Sequence, residues 1–344
     1  MFSLPLPFVV VLFLAFFLLS LILADKPWTL TRLAFAGLLG LGILHGSVTG
    51  LVWSYDLTWL RPALPILASL LPVATWLAFR SMAQSARRLH PTRIALHLIP
   101  TLVIVPLAFT GSLLIDPIIV ASFVTHGVIL WRMGAQGPDG FQKTLLHRAL
   151  SASRAAMGAG VLLILNALVD ISIIVDFQLT GGRHVLTILS AISVLILLLL
   201  AVVAATGINA ASEDEPEEED APRPQLPAVT EDHKDTLRKV DTLMQDTRLY
   251  TDPDLTLIKI ARKLGIPSRE ISTAINRHNG MNVSQYVNRL RLDEACRLLD
   301  TTDQSITEIH LDSGFQTKSN FNREFKRQFG CSPSQWRAGR RDKA

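Results

Sequence analysis

Runs of about twenty uncharged apolar residues recur along the first two-thirds of the chain, each long enough to cross the hydrocarbon of a bilayer as a helix. A helix in lipid must satisfy its own backbone hydrogen bonds, so each span should read as an apolar run closed by charge or turn residues. Seven such runs can be drawn: Leu6 to Leu23, Leu33 to Val52, Ala63 to Phe79, Ile94 to Leu114, Pro117 to Trp131, Ala155 to Val175 and Val185 to Ala205. The fifth is short, and only Gly111 to Asp116 separate it from the fourth, so those two can also be read as one broken element.

Composition supports the division. The whole chain is 49% hydrophobic and 18% charged. Residues 1–211 hold 12 basic and 6 acidic side chains, whereas the remaining 133 hold 21 and 23. The first part is too poor in charge for a soluble globule. A secreted disulfide scaffold, a wholly cytosolic enzyme and a disordered acidic protein are excluded. The two cysteines, Cys296 and Cys331, lie in the polar part, provide no disulfide framework and fit a reducing compartment.

Lys and Arg in short loops stay on the cytoplasmic side. Arg80, Arg87, Arg88 and Arg93 lie between runs three and four, and Arg132, Lys143, Arg148 and Arg154 between runs five and six. The loops after runs two and six offer only Arg61 and Arg183. This asymmetry predicts an N-terminus outside and, after seven spans, a polar C-terminal part in the cytoplasm. A cleaved signal peptide is the alternative for the first run. It would lack a basic residue before the apolar stretch, and cleavage would put both Arg-rich loops on the wrong face.

Ionisable residues at membrane depth are costly and usually face the bundle interior or a wet cavity. Asp170, within LNALVDISIIVD, together with His45 and His126, forms the candidate signal site; His97 is a further histidine in a span. The bland reading places Asp170 and Asp176 near the outer interface and pairs each imidazole with neighbouring backbone. No spacing supports a metal, and no motif supports a cofactor. Trp28, Trp53, Trp59, Trp76 and Trp131 sit near run ends and read as interfacial anchors.

After Ala211 the chain turns to SEDEPEEEDAPRPQLPAV, and like charges with interspersed proline cannot bury enough surface to fold. The expected organisation is therefore a membrane domain over 1–211, an acidic linker over 212–231, an amphipathic lead-in helix over 232–253 and a helical domain over 254–340. In the lead-in helix Leu237, Val240, Leu243 and Met244 fall at helical spacing. Residues 255–344 carry 16 basic and 9 acidic side chains, while 213–254 carry 5 and 14, so the overall +4 is a cancellation. A basic surface attracts polyanions, nucleic acid or anionic lipid alike.

Two internal units narrow the choice. LIKIARKL, the breaker Gly265-Ile266-Pro267 and SREISTAINRH form the first; ITEIHLDS, the turn Gly314-Phe315 and TKSNFNREFKRQF form the second. Each reads as a helix-turn-helix with glycine at the turn. A long helix over Val283 to Leu299 joins them. Leu257, Ile260, Ala261, Leu264, Ile271, Phe315, Phe321, Phe325, Phe329 and Trp336 are expected core positions.

The stretch SITEIHLDSGFQTKSNFNREFKRQFGCSPSQWR resembles the signature of the AraC/XylS family of transcription regulators in its Gly-Phe turn, its Ser-X-Phe-X-Arg-X-Phe-Lys helix and its Gly-X-Ser-Pro ending. The resemblance covers Asp254 to Arg337 and none of the membrane half. It implies an all-α fold and, in a chain like this, a membrane-integral, non-enzymatic regulator of a bacterial inner membrane that binds double-stranded DNA under the control of an unknown small-molecule or membrane signal. Both monomer and homodimer remain open. Recognition helices that start at Ser268 and Lys318 would read successive major-groove segments about 34 Å apart. Lys318, Ser319, Asn320, Asn322 and Arg323 are the candidate base readers of the second unit, since Asn pairs with adenine and Arg with guanine. Arg269, Ser272 and Thr273 are those of the first. Lys326, Arg327, Arg337, Arg340 and Arg341 are candidate phosphate contacts. The first unit departs from the family pattern at Ile275-Asn276, where relatives often carry an aromatic and a lysine, and at Pro267, which replaces the usual Ser/Thr cap. The share of base contact made by this unit stays open. The rival reading is a membrane transporter or enzyme with an autoregulatory DNA-binding domain, which would need convergent polar groups across several spans.

Overall fold

The computed structural model describes residues 5–23, 28–83, 91–185, 187–188, 191 and 231–341. Among these residues every regular element is a helix, so the chain adopts the all-α fold expected of it. The seventh apolar run lies almost wholly outside the described residues, as do the linker up to residue 230 and the side chains of Arg340 and Arg341. The chain divides into two compact units, residues 1–140 with 152–204 and residues 141–151 with 205–344.

The first unit contains α1 (Leu6–Leu23), α2 (Leu30–Ser54), α3 (Ala63–Ala83), α4 (Pro91–Leu107), α5 (Ile115–Ala135) and most of α6 (Leu146–Thr180). Four of these, α2, α3, α5 and α6, are long and apolar enough to cross a membrane; α1 and α4 are shorter apolar helices. The fourth and fifth runs are separate helices. The chain leaves α4 after Pro106 and turns through Gly111 at φ 66°, a conformation that glycine adopts without steric cost. Phe16, Leu33, Leu102 and Leu168 are each more than half exposed, an outward apolar surface that a water-facing globule would bury.

The α5–α6 seam is made of small residues. A Cβ on Gly160 would lie 2.6 Å from the Gly127 carbonyl oxygen, and one on Gly134 2.6 Å from that of Ser153. The Ser153 hydroxyl donates to the Gly134 carbonyl at 2.7 Å. Close backbone approach through glycine and serine is how apolar helices associate where the hydrophobic effect gives no drive.

The second unit holds α7 (Glu231–Thr247), α8 (Leu257–Leu264), α9 (Ser268–Asn279), α10 (Val283–Thr301), α11 (Ile306–Asp312), α12 (Lys318–Phe329) and α13 (Pro333–Arg341). Helix α10 opens with a reciprocal cap between Asn282 and Gln285 and serves two cores. Its first half gives Val283, Tyr286 and Val287 to an aliphatic core with Leu257, Ile260, Ile271 and Ile275. Its second half gives Leu292, Ala295, Leu298 and Leu299 to an aromatic core with Phe315, Phe321 and Phe325. All ten expected core positions pack into one of these cores, with Ala261, Leu264, Phe329 and Trp336 partly buried at the edges.

Candidate nucleic-acid interface

In the second helix-turn-helix, Ser305 and Glu308 cap α11 reciprocally. The turn then requires Gly314: its φ is 92°, and a Cβ there would lie 2.6 Å from the Tyr250 carbonyl oxygen. Thr317 starts α12 by accepting from the Asn320 amide, and Gly330 ends it in the left-handed conformation. Phe321, Glu324 and Phe325 of α12 are buried. Lys318, Ser319, Asn322, Arg323, Lys326 and Arg327 are exposed, and Asn320 is half-buried at the edge. An aromatic face inward thus turns a polar, basic face to solvent.

Hydrogen bonds order that face. The Arg323 guanidinium donates to Asn320 Oδ1 at 2.8 Å and lies 3.6 Å from Glu324. Arg327 donates to the buried Glu324 carboxylate at 2.6 Å. Glu324 therefore tethers two arginine side chains on the surface, trading part of their charge for fixed geometry. Arg337 sits differently. It donates to the Gln304 carbonyl at 2.7 Å, and its Nε and second Nη are buried without a hydrogen-bond partner among the described residues. Arg337 is thus half-buried and held by a backbone carbonyl of its own domain.

The first unit is built with weaker local devices. Thr256 caps α8 and Gly265 closes it at φ 67°. Pro267 occupies the N-cap of α9, and no side chain caps that helix. Arg269 is exposed, while the Ser272 and Thr273 hydroxyls both donate back to the Arg269 carbonyl, at 3.2 and 2.7 Å. Each hydroxyl keeps its lone pairs as acceptors. Ile275, at the position where the family pattern has an aromatic, is fully buried.

One residue that the sequence does not single out fixes the relation of the halves. Arg291 of α10 is 2% exposed, donates to the carbonyls of Tyr250 and Asp252 at 2.6 and 2.8 Å, and lies over the Phe315 ring. Burial pushes this guanidinium down to about 10, against the pull of Asp252, which leaves it charged at neutral pH. Arginines in LRLDEACRLL look like solvated helix surface, and nothing local distinguishes the buried one.

The candidate signal residues of the first unit stand on three helices, His45 on α2, His126 on α5 and Asp170 on α6. His126 is buried and pairs with His97, with Nε2 3.0 Å from His97 Nδ1, while its own Nδ1 donates to the Ser122 carbonyl at 2.8 Å. With the proton on Nδ1, a neutral His126 accepts at Nε2 and His97 Nδ1 donates to it. Trp76 stacks on His97 with ring centroids 3.8 Å apart and is 6% exposed, so it lies inside the bundle and is not an interfacial anchor. His45 and the half-buried Asp170 stand on α2 and α6, and among the described residues no three His, Cys, Asp or Glu side chains converge as metal ligands. Asp176 accepts from the Thr180 hydroxyl at 2.6 Å and the His184 amide at 2.9 Å, closing the end of α6.

A helix-turn-helix domain family matches residues 260–339. Among curated proteins, the chain is similar to the HTH-type transcriptional regulator CdhR of Pseudomonas aeruginosa, 33% identical over 101 residues, covering 29% of this chain and 30% of that protein. It is also similar to the HTH-type transcriptional activator RhaS of Escherichia fergusonii, 37% identical over 81 residues, covering 24% and 29%. Less than a third of each relative's length is spanned. The C-terminal domain of the two-component response regulator yesN from Fusobacterium nucleatum aligns at 26% identity with a TM-score of 0.28, over 30% of this chain and 98% of that domain. Residues 260–339 of this chain are an AraC-type helix-turn-helix domain with AraC-family relatives.

Proposed function

We propose that this protein is a membrane-integral one-component transcription regulator: the two helix-turn-helix units read double-stranded DNA, and a signal sensed in the apolar helices changes that binding. The carrying observation is the α12 face, where Lys318, Ser319, Asn322 and Arg323 stand exposed at the start of the second helix of an AraC-type unit. That is the part of such a helix that enters the major groove. The relatives' names, transcriptional regulator and activator, point the same way. The exposed apolar surface of α1 to α6 supports residence in a bacterial inner membrane, and the loop arginines support a cytoplasmic DNA-binding domain.

The test uses the full chain in lipid nanodiscs to select fragments from its own genome, followed by salt titration of the enriched sequence. Arg323→Ala should weaken binding to that sequence by about 1–3 kcal/mol and relax one base position. Lys326→Ala should weaken all duplexes alike and lower the salt slope by about 1. A native chain that enriches no sequence overturns the proposal.

A further inference from the structure

Residues 141–151 are read from the sequence as part of a basic loop between two spans. In the structure they pack within the second unit, against the first helix-turn-helix half. Leu146 is 5% exposed and belongs to the aliphatic core with Leu255, Leu257, Val283 and Val287. Phe141 and Ala149 on either side of it are buried as well. Backbone bonds reinforce the contact: the Leu146 amide donates to the Leu255 carbonyl at 3.2 Å, and the Ile258 amide donates to the Gln142 carbonyl at 3.4 Å. The Ser284 hydroxyl donates to the Leu146 carbonyl at 2.8 Å. The segment therefore meets the starts of α8 and α10, while the side chains of Arg269 and of the α12 face stay exposed.

We infer that residues 141–151 are a reversible docking strap, seated on the first DNA-binding half, that ties this half to the start of helix α6 as a second attachment besides the linker. Three features argue for this. First, the Ile258 amide lies in the opening turn of α8, where no intrahelical acceptor exists, so the strap supplies a partner that the helix itself lacks. Second, the docked residue opens α6, which begins at Leu146 and runs unbroken to Thr180, so the strap is continuous in the chain with an apolar helix. Third, the seat is imperfect. Gln142 Oε1 and Thr144 Oγ1 are buried without a hydrogen-bond partner among the described residues. A seat with such atoms at its edge is less tightly held than one closed by apolar packing alone. The strap leaves the reading faces open, so its release removes one attachment of the first half without covering or uncovering a face that contacts bases.

The regulatory consequence rests on the proposed function; the docking does not. Amide exchange on the full chain in nanodiscs of mixed zwitterionic and anionic lipid reads the docking. In the native chain the Leu146 and Ile258 amides should exchange at least ~10-fold slower than in an unstructured peptide. Leu146→Asp should speed Ile258 by ~10-fold or more while Leu298 and Phe325 keep their protection. If Leu146→Asp also deprotects those two, Ser284→Ala, which spares the core, decides: it should speed Leu146 and Ile258 by about threefold, the loss of one hydrogen bond. Unchanged Ile258 exchange in the deciding variant overturns the strap. In cells the Ser284→Ala chain, whose core is intact, should shift target transcripts measurably while binding the selected DNA within about threefold of native, since the faces that contact bases are untouched. Unchanged transcripts overturn the regulatory role. A native chain that binds no sequence sinks the regulator reading while leaving the exchange result to stand by itself.

Discussion

The two helix-turn-helix halves share an order of elements and differ in where their cores come from. The second half draws on residues between Leu292 and Trp336, and its centre is aromatic, with Phe315 tilted against Phe321, Phe321 edge to face with Phe325, and the cluster closed by Phe329 and Trp336. The first is aliphatic, and four of its buried members, Leu146, Leu237, Val240 and Met244, come from outside the helix-turn-helix altogether. The caps differ in the same sense, since a threonine side chain caps α12 and none caps α9. A half completed by its own neighbours in sequence is suited to hold a fixed reading face. A half completed by distant segments can be altered through them.

The sharpest way to break this comparison is to remove the centre of the self-contained core. Phe321 is fully buried, and Phe321→Ala should destabilise the second half by about 3–5 kcal/mol. If the halves are separable, exchange will accelerate at Leu298 and Phe325 while Val240 and Ile271 stay protected. Simultaneous loss at all four would show that α10 welds the halves into one cooperative unit, and the comparison would fail as a statement about stability.

Capping gives a smaller, two-sided probe. Thr317→Ala removes the acceptor for the Asn320 amide and should cost about 1 kcal/mol. Pro267→Ser offers α9 the acceptor it lacks and should add about 0.5–1 kcal/mol, provided the extended backbone at this position, φ −57° and ψ 136°, is kept. Denaturant midpoints for the two variants should move in opposite directions. Movement in the same direction would mean that the proline's rigidity, and not the missing cap, governs the start of α9.

How much of this was legible in the sequence follows the same division. The helices of both units end close to the residues that glycine, proline and capping side chains mark: Gly265, Pro267, Gly280, Gly314, Thr317 and Gly330. The apolar spacing that named Phe321 and Phe325 as core is local, and the structure buries both. Long-range packing left no such trace. Leu146 reads as the edge of a basic loop, yet its amide bonds to a carbonyl more than a hundred residues away. Trp76 reads as an interfacial anchor because anchors and buried indoles share a composition, and only the stacked His97 distinguishes them. Among the candidate readers of α12 all but the half-buried Asn320 are exposed, while Arg337 of α13 donates to the Gln304 carbonyl, a long-range bond that its residue type does not announce.

The smallest expected effect concerns the contact between the lead-in turn, Leu249–Thr251, and α10. Arg248 stands at φ 49°, an uncommon conformation for a residue with a Cβ, and its guanidinium donates to Glu294, which also accepts from Arg297 at 2.7 and 2.9 Å. The hydrogen bonds from Arg297, then the charges of Arg248 and Arg297, hold the Glu294 carboxyl below the usual glutamate value of 4.5, although burial opposes them. A depressed carboxylate contributes stability above its unfolded value and loses it as pH falls through its folded one. The Glu294 contribution should therefore be complete at pH 6 and decline only below 4.5. Both arginines are about half exposed, which limits the gain to ~1 kcal/mol or less. Glu294→Gln should lower the denaturant midpoint at neutral pH, and the gap to native should close on acidification below that value. A gap that persists unchanged to pH 3 would assign the residue's role to packing and not to charge. In that case the link between the lead-in turn and the second half would be steric, and acid would leave the two halves as different as they are at neutrality.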